Sequence, residues 1–542
     1  MWGFRKPPRT RFRVGGRRRQ EPDPGNRYPS GSSVRLSTDL DANMAMLKRT
    51  FERCSDIVYR EFVLAQNPRV RLELIYADGL SDRTQISEQI LRALELELAM
   101  ALPGAEREKL TRGRVLELVR DRGLCSHEVR ESDLLPEVVQ AVLSGDAVLL
   151  VEGHARALIS ASRGWETRAI SESEAEPTVR GPREAFVESL RINTALLRRR
   201  IKNPRLKIES LVLGKVTRTD VAVAYIEGIV NEKIVTEVKR RLQRAQELDA
   251  VLDSGYLEEL IEDHPFSPFP TVNHTEKPDR AAALLLEGRV AILVDGTPFV
   301  LTVPSLLVEY LQAPEDYYER FIFASAVRLV RFTAAVLSLI LPSFYVAVIS
   351  FHPEMLPTPL LLSVAAQREG VPFPVFVGVL LLELAFEILR EAGIRLPRPI
   401  GQAVSIVGAL VIGEAAVRAG LVAASTVIVV ALTGIGSFTF AYSASIALRL
   451  LRFVLMVLSA SLGLFGLTCG LAVIAFHLCS LRSFGVPYLS PLAPTTQVDL
   501  RDAAFRAPWW AMFTRPRLIA RQDQVRQTPN LKPAPPTRRR RR

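Results

Sequence analysis

Three stretches of this chain carry no Asp, Glu, Lys or Arg at all: Phe332 to Phe351, Ala419 to Leu448, and Phe453 to Leu481, the last two separated by Arg449 and Arg452. A hydrocarbon core about 30 Å thick is crossed by about 20 helical residues rising about 1.5 Å each, so every one of the three is long enough to span a bilayer. Two further stretches are apolar but charged. Val371 to Leu389 holds Glu383 and Glu387, four residues apart and therefore on one helix face. Ile400 to Val417 holds Gln402 and Glu414, with Arg418 just past its end. Pro357 to Ala366 is too short to cross and reads as a re-entrant or interfacial piece. With both ends on one side the number of crossings is even, which favours four, one candidate not crossing completely.

Charge places those ends. The net charge is +12, and charged residues are dense as far as Arg320 but sparse between Arg331 and Arg482. The N-terminus is a Pro/Gly/Arg string (Arg5, Lys6, Arg9, Arg11, Arg13, Arg17, Arg18, Arg19) without the apolar core of a secretory signal, so the N-terminal half is expected to stay in the cytosol. After Leu481 come eight dispersed basic residues from Arg482 to Lys532 and the run Arg538 to Arg542, against Asp499, Asp502 and Asp523. Arginines flanking a last apolar segment suit a cytosolic tail, where anionic headgroups also attract them, so the basic balance reads as membrane topology and not as nucleic-acid binding. Cys54, Cys125, Cys469 and Cys479 form no C-x-x-C pair, which argues against a disulfide framework or a zinc site.

At 542 residues the chain is too long for one core. The expected fold class is an α/β cytosolic region of two sub-modules followed by an all-α polytopic membrane domain. The divisions are a disordered basic arm (1–40), sub-module one (41–170), a polar linker (171–185), sub-module two (186–318), the transmembrane helices (319–482) and a basic cytosolic tail (483–542). Val70 to Tyr76 alternates like a strand, Arg83 to Met100 repeats apolar residues at helical spacing, and Ala147 to Val151 reads as a strand. In the second half Phe186, Leu190, Leu197 and Ile201 share a helix face, Leu206 to Val216 and Asp220 to Ile226 read as strands, and Asn231 is an N-cap candidate. Four apolar runs end in an acid and a glycine, at Asp78-Gly79, Glu152-Gly153, Glu227-Gly228 and Asp295-Gly296. This echo is a turn signal, and its spacing suggests paired strand-turn units in each sub-module, short of a strict repeat.

No Walker loop, dinucleotide fingerprint, H-E-x-x-H or G-x-S-x-G elbow is present, and the six histidines show no ligand spacing. No enzyme activity, cofactor or metal is expected. His264 and His274 read as surface loop residues. Charges inside spans cost about 2.5 to 3.5 kcal/mol each on insertion scales, so they normally face a bundle interior or a wet cavity. Glu383, Glu387, Glu414 and Arg418 are therefore candidate intramembrane functional residues, with placement at the headgroup level the competing reading. In Thr433 to Ser437 (TGIGS), Gly434 and Gly436 either break a helix at mid-membrane, where transport sites form, or allow close helix packing.

Longer strings carry a resemblance. Asp295 to Pro304 (DGTPFVLTVP), Pro314 to Arg320 (PEDYYER), His352 to Gly370 (HPEMLPTPLLLSVAAQREG), Phe386 to Gly401 (FEILREAGIRLPRPIG), Cys479 to Pro494 (CSLRSFGVPYLSPLAP) and Ala507 to Trp510 (APWW), with Asn193 to Ile201 (NTALLRRRI) in the soluble half, resemble the A-subunit family of spore germination receptors over residues 40 to 512. The resemblance implies a subunit of a nutrient-sensing complex in the inner spore membrane. It would work with a transporter-like B subunit and a lipoprotein C subunit, with further copies of itself and with membrane lipid, and not with nucleic acid. It would transmit the germination signal and offer an ion-conducting path. A free-standing transporter and the paralogous dipicolinate-release subunit are the alternatives. Two departures from the family pattern stand out: Lys277 where arginine is expected, and Phe438 to Tyr442 (FTFAY) without a proline after the glycines.

Overall fold

The computed structural model describes residues 34–64, 70–101, 112–120, 128–164, 173, 175–396, 413–496, 499–520, 522–528 and 531–533. The first module runs α1 (Leu40–Thr50), β1 (Ile57–Val63), β2 (Arg71–Ala77), α2 (Gln85–Glu97, π-helical, continued by Leu98–Ala101), α3 (Arg112–Leu118), β3 (Val129–Ser132), α4 (Leu135–Leu143), β4 (Ala147–Val151) and β5 (Ala157–Ser160). The second runs α5 (Leu190–Arg200), β6 (Leu206–Leu213), β7 (Thr219–Ile226), α6 (Glu232–Arg244), α7 (Ser254–Ile261), β8 (Asn273–Thr275), α8 (Pro278–Leu286), β9 (Val290–Val294) and β10 (Val300–Val303). The strand orders are β1-β2-β4-β5-β3 and β6-β7-β9-β10-β8, so one element order and one antiparallel topology occur twice.

Each sheet is covered on both faces. Because side chains alternate along a strand, Val221, Val223 and Tyr225 of β7 pack toward α6 and α7, while Ala222, Ala224 and Ile226 pack toward α5 and α8. Each large apolar side chain buried in this way contributes roughly 1.5 to 3 kcal/mol. The duplication reaches single hydrogen bonds. Asn43 and Asn193, both buried, bridge the backbone N–H and C=O of Ser37 and Val187, six residues before each. Gly153 N–H donates to Thr38 O as Gly296 N–H donates to Glu188 O. All four acid-glycine pairs lie just past strand ends, with glycine φ between +80° and +89°, a conformation that side chains resist. The echo in the sequence is thus the trace of two modules of one topology.

The modules meet along α5 and β6. Arg198, 1% exposed, holds Asp56 through two hydrogen bonds of 2.8 Å, and the Ser55 N–H donates to Ile208 O. Three features differ from the sequence reading. Residues 1–33 of the expected arm lie outside the described residues, but Val34 to Leu40 are packed: Leu36 is 4% exposed and its N–H bonds Asp133 O. The expected linker is tied down, since Thr275 and Arg280 hold Glu176 while the buried Lys277 donates to Thr178 Oγ1 and Pro182 O. His274, expected in a surface loop, lies in β8 with its ring edge-on to Phe299.

The helical part comprises α9 (Phe321–Phe351), α10 (Thr358–Arg368), α11 (Val375–Arg395), α12 (Ala424–Gly436) and α13 (Tyr442–Ser480). By length and hydropathy α9 and α13 are the two among the described residues able to cross a membrane. A straight helix of 39 residues would be about 58 Å long. Yet the Ala441 N–H beside the start of α13 bonds Tyr310 O, and Leu481 after its end shares a core with Tyr310 and Phe269. The helix therefore doubles back, at Gly463 (φ 63°, ψ −142°), and Gly470 of the returning arm faces Leu455 of the outgoing one. Arg449 and Arg452 do not separate two spans as expected. They lie inside the outgoing arm, and the break falls earlier, between Gly436 and Tyr442. Most of the charged candidate Ile400 to Val417 (residues 400–412) lies outside the described residues.

The segment after α13 is not a free tail. A two-strand hairpin, β11 (Arg482–Ser483) with β12 (Val486–Pro487), leads back to the second module, where Ile519 and Ala520, both 0% exposed, enter its two cores. Arg515 donates to Leu286 O, at the carbonyl end of α8, where a guanidinium suits the helix dipole.

Candidate functional site

Glu383, Glu387 and Arg390 follow one another at four- and three-residue spacing on α11, and Arg449 and Arg452 at three on α13, so each helix presents a charged stripe to the other. Arg452 Nη2 lies 2.9 Å from Glu383 Oε2 and 3.2 Å from Glu387 Oε1. Arg449 Nη1 lies 2.8 Å from Glu387 Oε2, and Arg390 lies 3.8 Å from the same carboxylate while donating to Ser437 Oγ just after α12. Arg390 also lies against the rings of Phe386 and Phe438, at 5.2 and 4.5 Å. Glu383 and Arg452 are both 0% exposed. Three guanidinium groups against two carboxylates leave a formal charge of +1.

The charge of Glu383 and Glu387 is therefore neutralised, and more than neutralised, by Arg390 and by the two arginines that the sequence reading placed between two uncharged runs. The signal was available: charges in an apolar segment are normally paired, and the Glu and Arg spacings are complementary. Glu414 and Arg418 stand apart as an exposed i,i+4 pair. Gly434 and Gly436 pack closely: a Cβ on Gly434 would come within 2.5 Å of the Phe386 ring, and one on Gly436 within 3.1 Å of Ala334 O. The helix also ends there, Ser437 Oγ donating to Gly434 O. The glycines thus bring α12 against α9 and α11, which seats Ser437 beside Arg390. In the cluster both carboxylates lie against guanidinium groups. What it offers is a charged fastening of three helices whose Arg390 Nε, Arg449 Nε, Arg452 Nε and Arg452 Nη1 have no hydrogen-bond partner among the described residues. Such a half-satisfied network can exchange partners.

A second set of contacts fastens the helices to the second module. Arg328 of α9 bonds Asp316 at 3.0 Å and Asp502 at 2.9 Å, and Arg331 bonds Asp316 at 3.1 Å. Ser483 Oγ donates to Thr271 O and accepts from Ser305 N–H, Leu307 N–H donates to Tyr488 O, and Ser267 Oγ lies 2.9 Å from His477 Nε2. The second module is thus held by the first helix, the last helix and the segment that follows it.

Residues 45–518 match the family model described as Bacillus/Clostridium GerA spore germination protein. The chain belongs to this family. Among similar GerA-family sequences, "Spore germination protein KA" of Bacillus subtilis (strain 168) is 46% identical over 93% of this chain and 90% of its own. The "Uncharacterized membrane protein YfkQ" of the same strain is 43% identical over 90% of this chain and 92% of its own. The crystal structure of the N-terminal domain of the A subunit of the Bacillus megaterium spore germinant receptor GerK3 aligns with a TM-score of 0.40 and 35% identity, over 51% of this chain and 98% of that one. The GerA match runs through both modules, the charge cluster and the returning segment, ending beside the buried Ile519.

Proposed function

We propose that this chain is the multi-pass membrane A subunit of a nutrient germinant receptor, acting with a transporter-like B subunit, a lipoprotein C subunit and further copies of itself in the inner membrane of the spore. The modules and the returning segment lie on the cytosolic side. α9 leads into the membrane and the two arms of α13 cross and return, so the chain re-enters the second module where it left it. The observation that carries the reading, beyond family membership, is that fastening: Arg328 and Arg331 at one end and Ser483, Tyr488 and Ile519 at the other tie one module to both ends of the helical part. A shift of the α11 to α13 charge cluster is then passed to the soluble half, and the same shift opens or closes an ion path.

The test is a deletion strain. Nutrient-triggered potassium release and germination should be lost, restored by the intact gene, and not restored by Glu387→Gln at normal protein abundance. Deletion spores that respond normally to every nutrient tried but fail in dipicolinate release would instead favour the paralogous role.

A further inference from the structure

Beside the first turn of α9 a groove of about 660 Å³ opens between Arg180, Tyr317, Arg506 and the Trp509-Trp510 pair. Arg506 forms its floor. It is 4% exposed, its two Nη atoms donate to the carbonyls of Glu319 and Tyr317, and its Nε has no hydrogen-bond partner among the described residues. The guanidinium lies 5.7 Å from the Tyr317 ring and 5.5 Å from that of Trp509. Lys532 Nζ sits 5.3 Å from the Trp510 ring, and the exposed Arg180 reaches Glu319 at 3.6 Å. Three cations against one carboxylate leave a surplus of +2.

Next to this charge lies an apolar collar that the described residues leave uncovered. Ile322 is 71% exposed, Phe323 59% and Phe505 60%. A cationic, indole-walled groove bordering exposed apolar rings at the foot of a long apolar helix matches one kind of ligand, an anion carrying hydrocarbon chains.

We propose that this groove is a headgroup site for an anionic phospholipid, with Arg180, Arg506 and Lys532 taking the phosphate and the collar of Ile322, Phe323 and Phe505 meeting the acyl chains. The assignment rests on the membrane reading above and adds a specific lipid contact at the joint between soluble and helical parts.

The test uses the full chain with Trp2→Phe and Trp165→Phe, which leaves Trp509 and Trp510 as reporters, in phosphatidylcholine nanodiscs. Brominated phosphatidylglycerol should quench at a lower mole fraction than brominated phosphatidylcholine. Each surface cation removed, Arg180→Gln or Lys532→Gln, should reduce that preference about 5-fold with insertion unchanged. Equal quenching by the two lipids in the parent protein would overturn the site. Loss of the preference in millimolar inorganic phosphate would make it a free-phosphate site and overturn the lipid assignment, and displacement by an acidic peptide from a partner subunit in place of lipid would do the same. Failure to insert into nanodiscs would overturn the membrane reading and the site with it.

Discussion

Arg452→Met removes the one ion-pair partner that Glu383 has among the described residues while keeping much of the side-chain volume. Both groups are 0% exposed, so the carboxylate left behind has no water to replace the guanidinium at 2.9 Å. Two unit charges about 4 Å apart attract by about 4 kcal/mol at an effective dielectric of about 20. Breaking a buried pair from one side costs about 3 to 5 kcal/mol, because the penalty of the orphaned charge adds to the lost attraction. For a helical unit of this size that is a fall of about 6 to 20 °C in melting temperature, at about 2 to 4 °C per kcal/mol. Thermal unfolding of the purified full chain in detergent should show the fall for Arg452→Met and recovery of most of it on adding Glu383→Gln, which removes the stranded charge. A single variant that melts within about 2 °C of the parent, or a double variant no better than the single one, would refute the argument that the pair is compensated and buried.

Other outcomes follow from other parts of the molecule. Arg198→Met should free the modules from each other, speeding hydrogen exchange at the Ser55 and Ile208 amides about 100-fold for a cost of about 3 kcal/mol, with Asp56→Asn restoring part; unchanged exchange would deny the pair this role. Glu258 is pushed up to about 7 by burial and by Glu262, Asp253 and Glu259. Its folded state therefore binds the extra proton, and stability present below about pH 4.5 is lost as pH rises through about 7, with an upper bound of about 3 kcal/mol. Glu258→Gln should flatten this slope in pH-dependent hydrogen exchange of α7, and an unaltered slope would place the titration elsewhere. Gly463→Ala puts a Cβ 3.0 Å from His352 Cε1 at a backbone conformation that belongs to glycine, at a cost of about 1 to 3 kcal/mol from strain alone. Its accumulation in membranes and its melting temperature should both drop, and parent-like values would argue against a fold-back at that residue.

The sequence by itself determined what local chemistry dictates. Long uncharged runs announce membrane-length helices because hydrocarbon tolerates little else, and alternating apolar runs closed by an acid and a glycine announce strands and turns because only those spacings and φ values suit them. Strands such as Ala147–Val151 and the N-cap Asn231, whose side chain accepts the Lys233 N–H, are of this kind. The family, too, was legible in strings such as PEDYYER and APWW. Tertiary structure decided the rest. That α13 is a hairpin depends on Gly463, one glycine among several in that helix, and on both ends reaching the Tyr310 core. That Arg449 and Arg452 are the partners of Glu383 and Glu387 depends on α11 lying against α13, a long-range contact that the complementary spacings permit but do not specify. That Ile519 completes the core of a module whose strands ended more than two hundred residues earlier is decided in the same way. Spacing along a helix fixes which side chains share a face, but what that face meets is set by packing between segments far apart in the chain.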